Sequence, residues 1–369
     1  RVTYEQTNVD RELSTFGSSV GQPEQVVYNV FSFEVEQDLW QNTFGVIDRL
    51  NLEIAKTQTT ESKWDELEAL EDHVLEILNI FWSTYVAHET LQEAIASRER
   101  YQQLLKVVQR KSRLGSTQPG ELARTRAEVS QQDESVKQNT TQFLLLLDQL
   151  KTALNIEHPG DIVDFQIDTI VPELPAFGEV ELDELRAIKK NQLSLQRAEA
   201  DQEIKESEGD PVVKLIAKVQ STGLERDSSS ATSELTSFAK PTYFAGLNIK
   251  FYIGNETSDA ELSLAKVNKR LANLRLSMAK KMLKDQLANA ERSVKSNRLV
   301  LQSRVEQVKE RETAFEQIRR AFRQGRVNIT ELIMAANLLT AARTAKIQAT
   351  GDYHLSIDQL AALKDELIK

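Results

Sequence analysis

The chain runs one structural program twice. Alternating apolar and polar text ending in Phe31–Asn42 feeds a very long stretch almost free of Gly and Pro, which stops at Gly115 and is followed by a second helical stretch. Roughly 210 residues later the order recurs: alternating text ending in Leu247–Asn255, a long Gly-poor stretch, a stop at Gly325 and a return helix. A period this long is not that of a solenoid of small units. It predicts two equivalent halves, each a β-hairpin joined to a long helical hairpin.

Composition agrees with long helices. The 369 residues include 13 Gly and 7 Pro, and only 6% are aromatic although 40% are hydrophobic. That scarcity of turn residues, beside abundant Leu, Ala, Glu, Gln, Lys and Arg, predicts helix seams instead of one globule. The net charge of −10 comes from 46 basic and 56 acidic residues without a basic block, so no nucleic-acid partner is expected. The chain contains no Cys, hence no disulfide framework or thiol nucleophile. Its richest apolar run, Phe143–Leu147, is far too short for a transmembrane helix, which leaves a β-barrel open. Strand text begins at Arg1, so a preceding N-terminal portion is expected.

Five segments are expected along the chain. A first β-hairpin occupies 1–42, with strands at 1–10 and 25–39, and a first helical hairpin occupies 43–154 with its tip near 113–120. A connector and a charged helix occupy 155–210, the Pro-containing part being His158–Gly178. A second β-hairpin occupies 211–255, with strands at 212–224 and 241–253, and a second helical hairpin occupies 256–369 with its tip near 323–330. The segment Arg226–Glu234 is predicted to be a solvated loop. At ~1.5 Å per residue, a first long helix of about 70 residues would span roughly 100 Å. Heptad-like seams are legible in it: Leu75, Leu78, Trp82 and Tyr85 fall three and four apart.

The strand faces separate chemically. Val27, Phe31, Phe33 and Val35 share one face, and Leu247, Ile249, Phe251 and Ile253 share another; Tyr28, Glu34, Glu36, Lys214, Lys218 and Lys250 alternate with such apolar sets. Two hairpins per chain must cover their edges, and closing a barrel across identical subunits does so. With the apolar side outward, the pattern is that of a lipid-embedded, water-filled pore; a soluble sandwich packing these faces dry is the alternative.

These residues resemble the outer-membrane efflux protein family, the TolC-like channel proteins. The resemblance is carried by Phe322-Arg323-Gln324-Gly325-Arg326-Val327-Asn328-Ile329-Thr330-Glu331-Leu332 and the Ala/Leu-rich return helix to Arg343. It is carried also by Ala349-Thr350-Gly351-Asp352-Tyr353, by the first tip from Arg113 to Glu128, and by the corners Gln37–Asn42 and Phe251–Asn255. Trp40-Gln41 departs from the family's commoner Phe and Gly. The resemblance implies a mainly α chain with a small β part, assembled as a homotrimer with a 12-stranded β-barrel continued by an α-helical barrel. One end would sit in outer-membrane lipid, with the helices in the periplasm. The other end would meet a periplasmic adaptor (membrane fusion) protein linked to an inner-membrane transporter. A helical element before the first strand is also implied.

No catalytic constellation is expected, nor a cofactor or metal. His73, His88, His158 and His354 are scattered, and His88-Glu89 lacks a second His at metal-ligand spacing. Gly115 and Gly120 lack the Lys-Ser/Thr that a phosphate loop requires. The implied function is passive conduction. The candidate residues are Glu331 as periplasmic gate, Leu114, Gly115, Gly325, Arg326 and Val327 as adaptor-docking tips, and Glu34, Glu36, Lys214, Lys218 and Lys250 as barrel lumen. Each has a second reading: glycine serves a turn whether or not it docks a partner, and an acid at Glu331 suits a helix N-terminus. The rival functions are a soluble coiled-coil scaffold and the periplasmic adaptor itself, which would need a lipoyl-like domain on a single hairpin.

Overall fold

The computed structural model describes residues 2–11, 24–115, 118–156, 180–225, 227–239 and 241–368. The elements are β1 (Val2–Arg11), β2 (Glu24–Asp38), α1 (Val46–Arg113), α2 (Glu121–Ala153), α3 (Arg186–Glu208), β3 (Val212–Glu225), α4 (Ser228–Thr236), β4 (Pro241–Lys250), α5 (Glu256–Arg323) and α6 (Ile329–Leu363). The duplication is close in length: α1 and α5 have 68 residues each, and α2 and α6 have 33 and 35. The Pro-containing connector expected at His158–Gly178 lies outside the described residues.

The chain forms two compact units, residues 1–61 with 190–277, and residues 62–189 with 278–369. The first holds a four-stranded antiparallel sheet in the order β1-β2-β3-β4. Its register pairs like with like: Val35 faces Ala217, Leu215 faces Leu247, and Glu34 faces Lys218. A shift of one residue would invert every face, so this alternation fixes the register. Carboxylates and cations join α3 to both neighbouring helices in this unit. Arg197 pairs with Glu61 at 2.6 Å, and Lys205 with Glu261 at 3.1 Å.

Two expectations are corrected here. The last strand stops at Lys250 and not at residue 253. Its partner strand begins at Val212, immediately after Pro211, which has no N–H to extend the ladder. The segment expected to be a solvated loop contains the helix α4. Asp227 caps it, its Oδ1 accepting from the N–H groups of Ser229 and Ser230 at 3.0 and 2.9 Å. Ala231 and Leu235, one turn apart, are buried against β3. Gly223 makes this approach possible, since a Cβ there would lie 2.0 Å from the Ala231 carbonyl oxygen.

The second unit is built from helix seams. In α5 every seventh residue from Leu287 to Phe322 is buried: Leu287, Val294, Leu301, Val308, Phe315 and Phe322. Ala87, Ala94, Tyr101 and Val108 repeat the period in α1. A strict seven-residue period winds helices into a left-handed supercoil. Helix α6 is buried along two adjacent lines, Leu332-Leu339-Tyr353-Leu360 and Ala335-Ala342-Ala349-Ser356. Its small residues allow neighbours close: a Cβ on Gly351 would meet Val86 Cγ2 of α1 at 2.6 Å.

Candidate functional site

The sheet presents two chemically distinct faces. On one lie Val2, Tyr4, Phe33, Val35, Leu215, Tyr243, Leu247 and Ile249, each 43–74% exposed. Covering a large apolar side chain is worth about 1.5–3 kcal/mol, so this face forgoes on the order of 10 kcal/mol while bare to water. Contiguous patches of this kind mark interaction surfaces. Exposed aromatic side chains are spread along this part of the chain: Tyr4 and Tyr243 lie level with the middle of β2, Phe238 precedes β4, and Trp40, Phe44 and Phe251 follow the ends of β2 and β4.

The opposite face carries all five residues expected to line a lumen. Glu34 stands across from Lys218, and Lys214 Nζ lies 3.6 Å from both Glu36 and Asp38. Lys250 Nζ sits 4.7 Å from the Tyr252 ring centre. Ile216 and Phe244 interrupt this polar face, and the Phe244 ring covers Gly246.

In the second unit the two helical turns lie together. Phe322, Ile329 and Leu332 join Tyr101 and Val108 in one core, and Leu122 and Val327 pack against it. Lys111 Nζ donates to the Phe322 carbonyl at 3.1 Å and lies 4.0 Å over its ring centre. Arg124 donates to the Thr330 hydroxyl at 2.5 Å. Gly115 and Gly325 adopt φ of +68° and +74°, with nothing within 4 Å of where a Cβ would stand. Their requirement is therefore backbone conformation, not space. At the second turn Arg326 N–H reaches back to the Ala321 carbonyl at 2.9 Å, closing α5 in a Schellman motif. Leu114 is 79% exposed, Arg326 is exposed, and Val327 is half-buried against the shared core.

Glu331 occupies the first turn of α6. Its N–H donates to the side chain of the capping residue Asn328 at 3.0 Å, and its own side chain is exposed. It borders a groove lined by Arg311, Ile318, Met334 and Leu338. Among the described residues no His, Asp or Glu group is placed to hold a metal ion, and no helix is long and apolar enough to cross a membrane.

Comparison with solved structures decides what this arrangement is. The channel protein CusC superposes over 98% of this chain and 82% of its own, with TM-score 0.78 and 16% identity. The open state of the MtrE outer membrane channel of Neisseria gonorrhoeae matches over 100% of this chain and 81% of its own, with TM-score 0.77 and 16% identity. The outer membrane protein VceC of Vibrio cholerae matches over 99% and 86%, with TM-score 0.73 and 12% identity. The fold is that of the TolC-like outer-membrane channels. No known family profile matches the sequence, and no curated protein matches it.

Three clusters in this channel fold escaped the sequence reading. Arg343 of α6 donates to Glu312 of α5 at 2.6 Å and to Glu93 of α1 at 3.1 Å. Glu93 is buried and also pairs with Arg100, whose guanidinium donates to Thr340 at 3.0 Å. Arg343 thus ties α6 to both α1 and α5, and its buried partner Glu93 lies 250 positions away in the chain. Farther along, Trp82 Nε1 donates to Asp358 at 2.8 Å, and the Trp82 ring stacks on His354 at 4.1 Å. Burial pushes the His354 imidazole below its ordinary value. Burial also raises the Asp358 carboxyl, opposed by the Trp82 hydrogen bond. Arg186 pairs with Glu71 and, at 3.1 Å, with Asp365 at the end of α6. Burial raises the Glu71 carboxyl, with Arg186 opposing. The Trp82 and Tyr85 seam was visible in sequence; the His354–Asp358 spacing of four is too common to have singled them out.

Proposed function

We propose that this chain is the outer-membrane channel of a tripartite efflux or secretion assembly, conducting substrate passively while a partner supplies the energy. The observation that carries this reading is the bare apolar face of the sheet, which includes the exposed rings of Tyr4, Phe33 and Tyr243 and is backed by a charged face. Lipid would cover the first and water would fill the space behind the second. From Tyr243 to Phe251, just past the end of β4, eight steps of about 3.4 Å each give roughly 20 Å once tilted as barrel strands are, near the height of an outer-membrane apolar band.

The edges support assembly of copies. In the order β1-β2-β3-β4 the outer strands run antiparallel to each other, and both have ten residues. Pairing β1 of one copy with β4 of the next would continue the antiparallel alternation and close a ring. Three copies give the twelve-stranded barrel of a homotrimer. The helices would then stand in the periplasm, with the turns at Gly115 and Gly325 towards a periplasmic adaptor and, through it, an inner-membrane transporter. The structural likeness to CusC and MtrE favours this reading over a soluble scaffold.

The decisive experiment is extraction in detergent, with mass measurement and recording in planar bilayers. Trimers with conductance are expected; a soluble, non-conducting monomer would sink the proposal. At the gate, Glu331→Ala is expected to raise single-channel conductance or weaken block by divalent cations, through loss of a ring of three carboxylates. Unchanged conductance and block would leave Glu331 as a helix-terminal carboxylate only.

A further inference from the structure

Arginines that line an apolar cavity are costly unless an acceptor answers their charge. One such cavity, of about 70 Å³, lies between α1, α5 and α6 in the second unit. Leu104, Phe315 and Phe322 stand among its walls, and Arg100, Arg319 and Arg323 line it too. No carboxylate lines it among the described residues.

The three guanidiniums are incompletely satisfied. Arg100 uses one terminal nitrogen on the buried Glu93 and, at 3.0 Å, on the Thr340 hydroxyl. Arg319 uses one of its own on Glu316 at 2.6 Å. Both leave Nε buried without a hydrogen-bond acceptor among the described residues. A buried donor of a charged group left unpaired is destabilising and calls for an explanation. Arg323 is exposed and forms no ion pair among the described residues, so its charge stands where the cavity meets water.

Shape and charge together select the occupant. A closed apolar cavity of about 150 Å³ admits a benzene ring, and this one is about half as large. Being open towards Arg323, it takes the body of one ring or a short branched chain and leaves the polar end at the guanidiniums. A planar carboxylate matches a guanidinium with two parallel hydrogen bonds. A neutral ring would leave the buried Nε groups unanswered, and an anion without an apolar body would leave the walls uncovered. An apolar pocket with a few convergent polar groups is the usual anatomy of a small-molecule site.

We propose that this cavity binds a small apolar monocarboxylate, its carboxylate on the arginines and its body against Leu104, Phe315 and Phe322. The site stands independently of the conduction reading. Since α1 belongs to the first helical hairpin and α5 and α6 to the second, an occupant would bridge the two hairpins and hold them together.

The test titrates benzoate into the full chain in detergent by calorimetry, with empty micelles as the blank. Benzyl alcohol, which lacks the charge, and acetate, which lacks the ring, are the matched probes. Benzoate is expected to bind saturably and at least about tenfold more tightly than either, because each lacks one half of the match. The melting temperature should rise with benzoate occupancy. Leu104→Trp, which fills the cavity, is expected to remove benzoate binding. Arg319→Gln is expected to weaken benzoate about tenfold and leave benzyl alcohol unchanged, a split that a general loss of packing would not give. Equal binding of benzoate and benzyl alcohol, benzoate binding undiminished by Leu104→Trp, or no saturable binding at all would each overturn the proposal. Should Leu104→Trp fail to fold, the three probes on the wild type and Arg319→Gln still decide. Conductance plays no part in this readout, so failure here leaves the channel reading untouched.

Discussion

Gly351 sits in the middle of a 35-residue helix, where glycine costs about 1 kcal/mol against alanine. It is there because Val86 of α1 occupies the space of its Cβ. Gly351→Ala gains helix propensity but overpacks a contact that typically costs about 1–3 kcal/mol. A net loss of about 1 kcal/mol is expected by thermal melting in detergent, and Val86→Ala added to it should recover most of that loss; melting unchanged by the single variant would refute the packing argument. His354 makes a second prediction. Its imidazole is held below its ordinary value near 6.5 by burial. The unfolded chain therefore takes up the proton first as pH falls below about 6.5, and stability falls until the folded value is passed. The facing Asp358 carboxyl is raised, so it contributes with the opposite sign. His354→Phe keeps a ring on Trp82 and removes the titration. The melting midpoint of the wild type should drop relative to the variant between pH 7 and 5, and parallel curves would exclude the mechanism. Gly325 was legible in sequence because only a residue tolerant of positive φ ends such a helix cheaply. Gly351 was visible as a motif, but its reason lies in a residue 265 positions earlier.

At the scale of elements, the seven-residue period made the long helices readable, and their ends fall close to where Gly and Pro place them. The short helix α4 was not readable. Its serine-rich text has the composition of a loop, and the Asp227 cap with packing of Ala231 and Leu235 on the strands, close at Gly223, makes helix formation worthwhile. Gly223→Ala should therefore release α4 while leaving the sheet paired, seen as faster amide exchange confined to Ser228–Thr236; uniform protection would count against it. The Arg343 tie between α1, α5 and α6 behaves differently. Arg343→Gln leaves the buried Glu93 with Arg100 alone, and Glu312 without its partner in α6. A loss of about 2–3 kcal/mol is expected, since breaking a buried pair leaves charge uncompensated. Replacing Glu93 by Gln in the same chain should offset part of it. Additive losses in the double-variant cycle would mean that the pair does not couple the helices.

For the whole molecule, the described residues of one chain leave two sheet edges unpaired and one sheet face bare, which an assembly in lipid would resolve together. The absence of Cys allows a direct check. Pairs of cysteines, one introduced in β1 and one in β4, should cross-link between copies only at positions consistent with antiparallel neighbours; cross-linking confined to one copy would contradict the shared barrel. The sequence by itself determined the duplication, the class of each long element, the alternation that gives the strands two faces and the glycine turns, because each depends on local backbone preference or a short period. The tertiary structure decided the end of β4, the existence of α4, the joining of the two turns over one apolar core and the pairing of Arg343 with Glu93 and Glu312. Those follow from residues far apart in the chain, whose contact energies exist only once the helices and strands have been brought together.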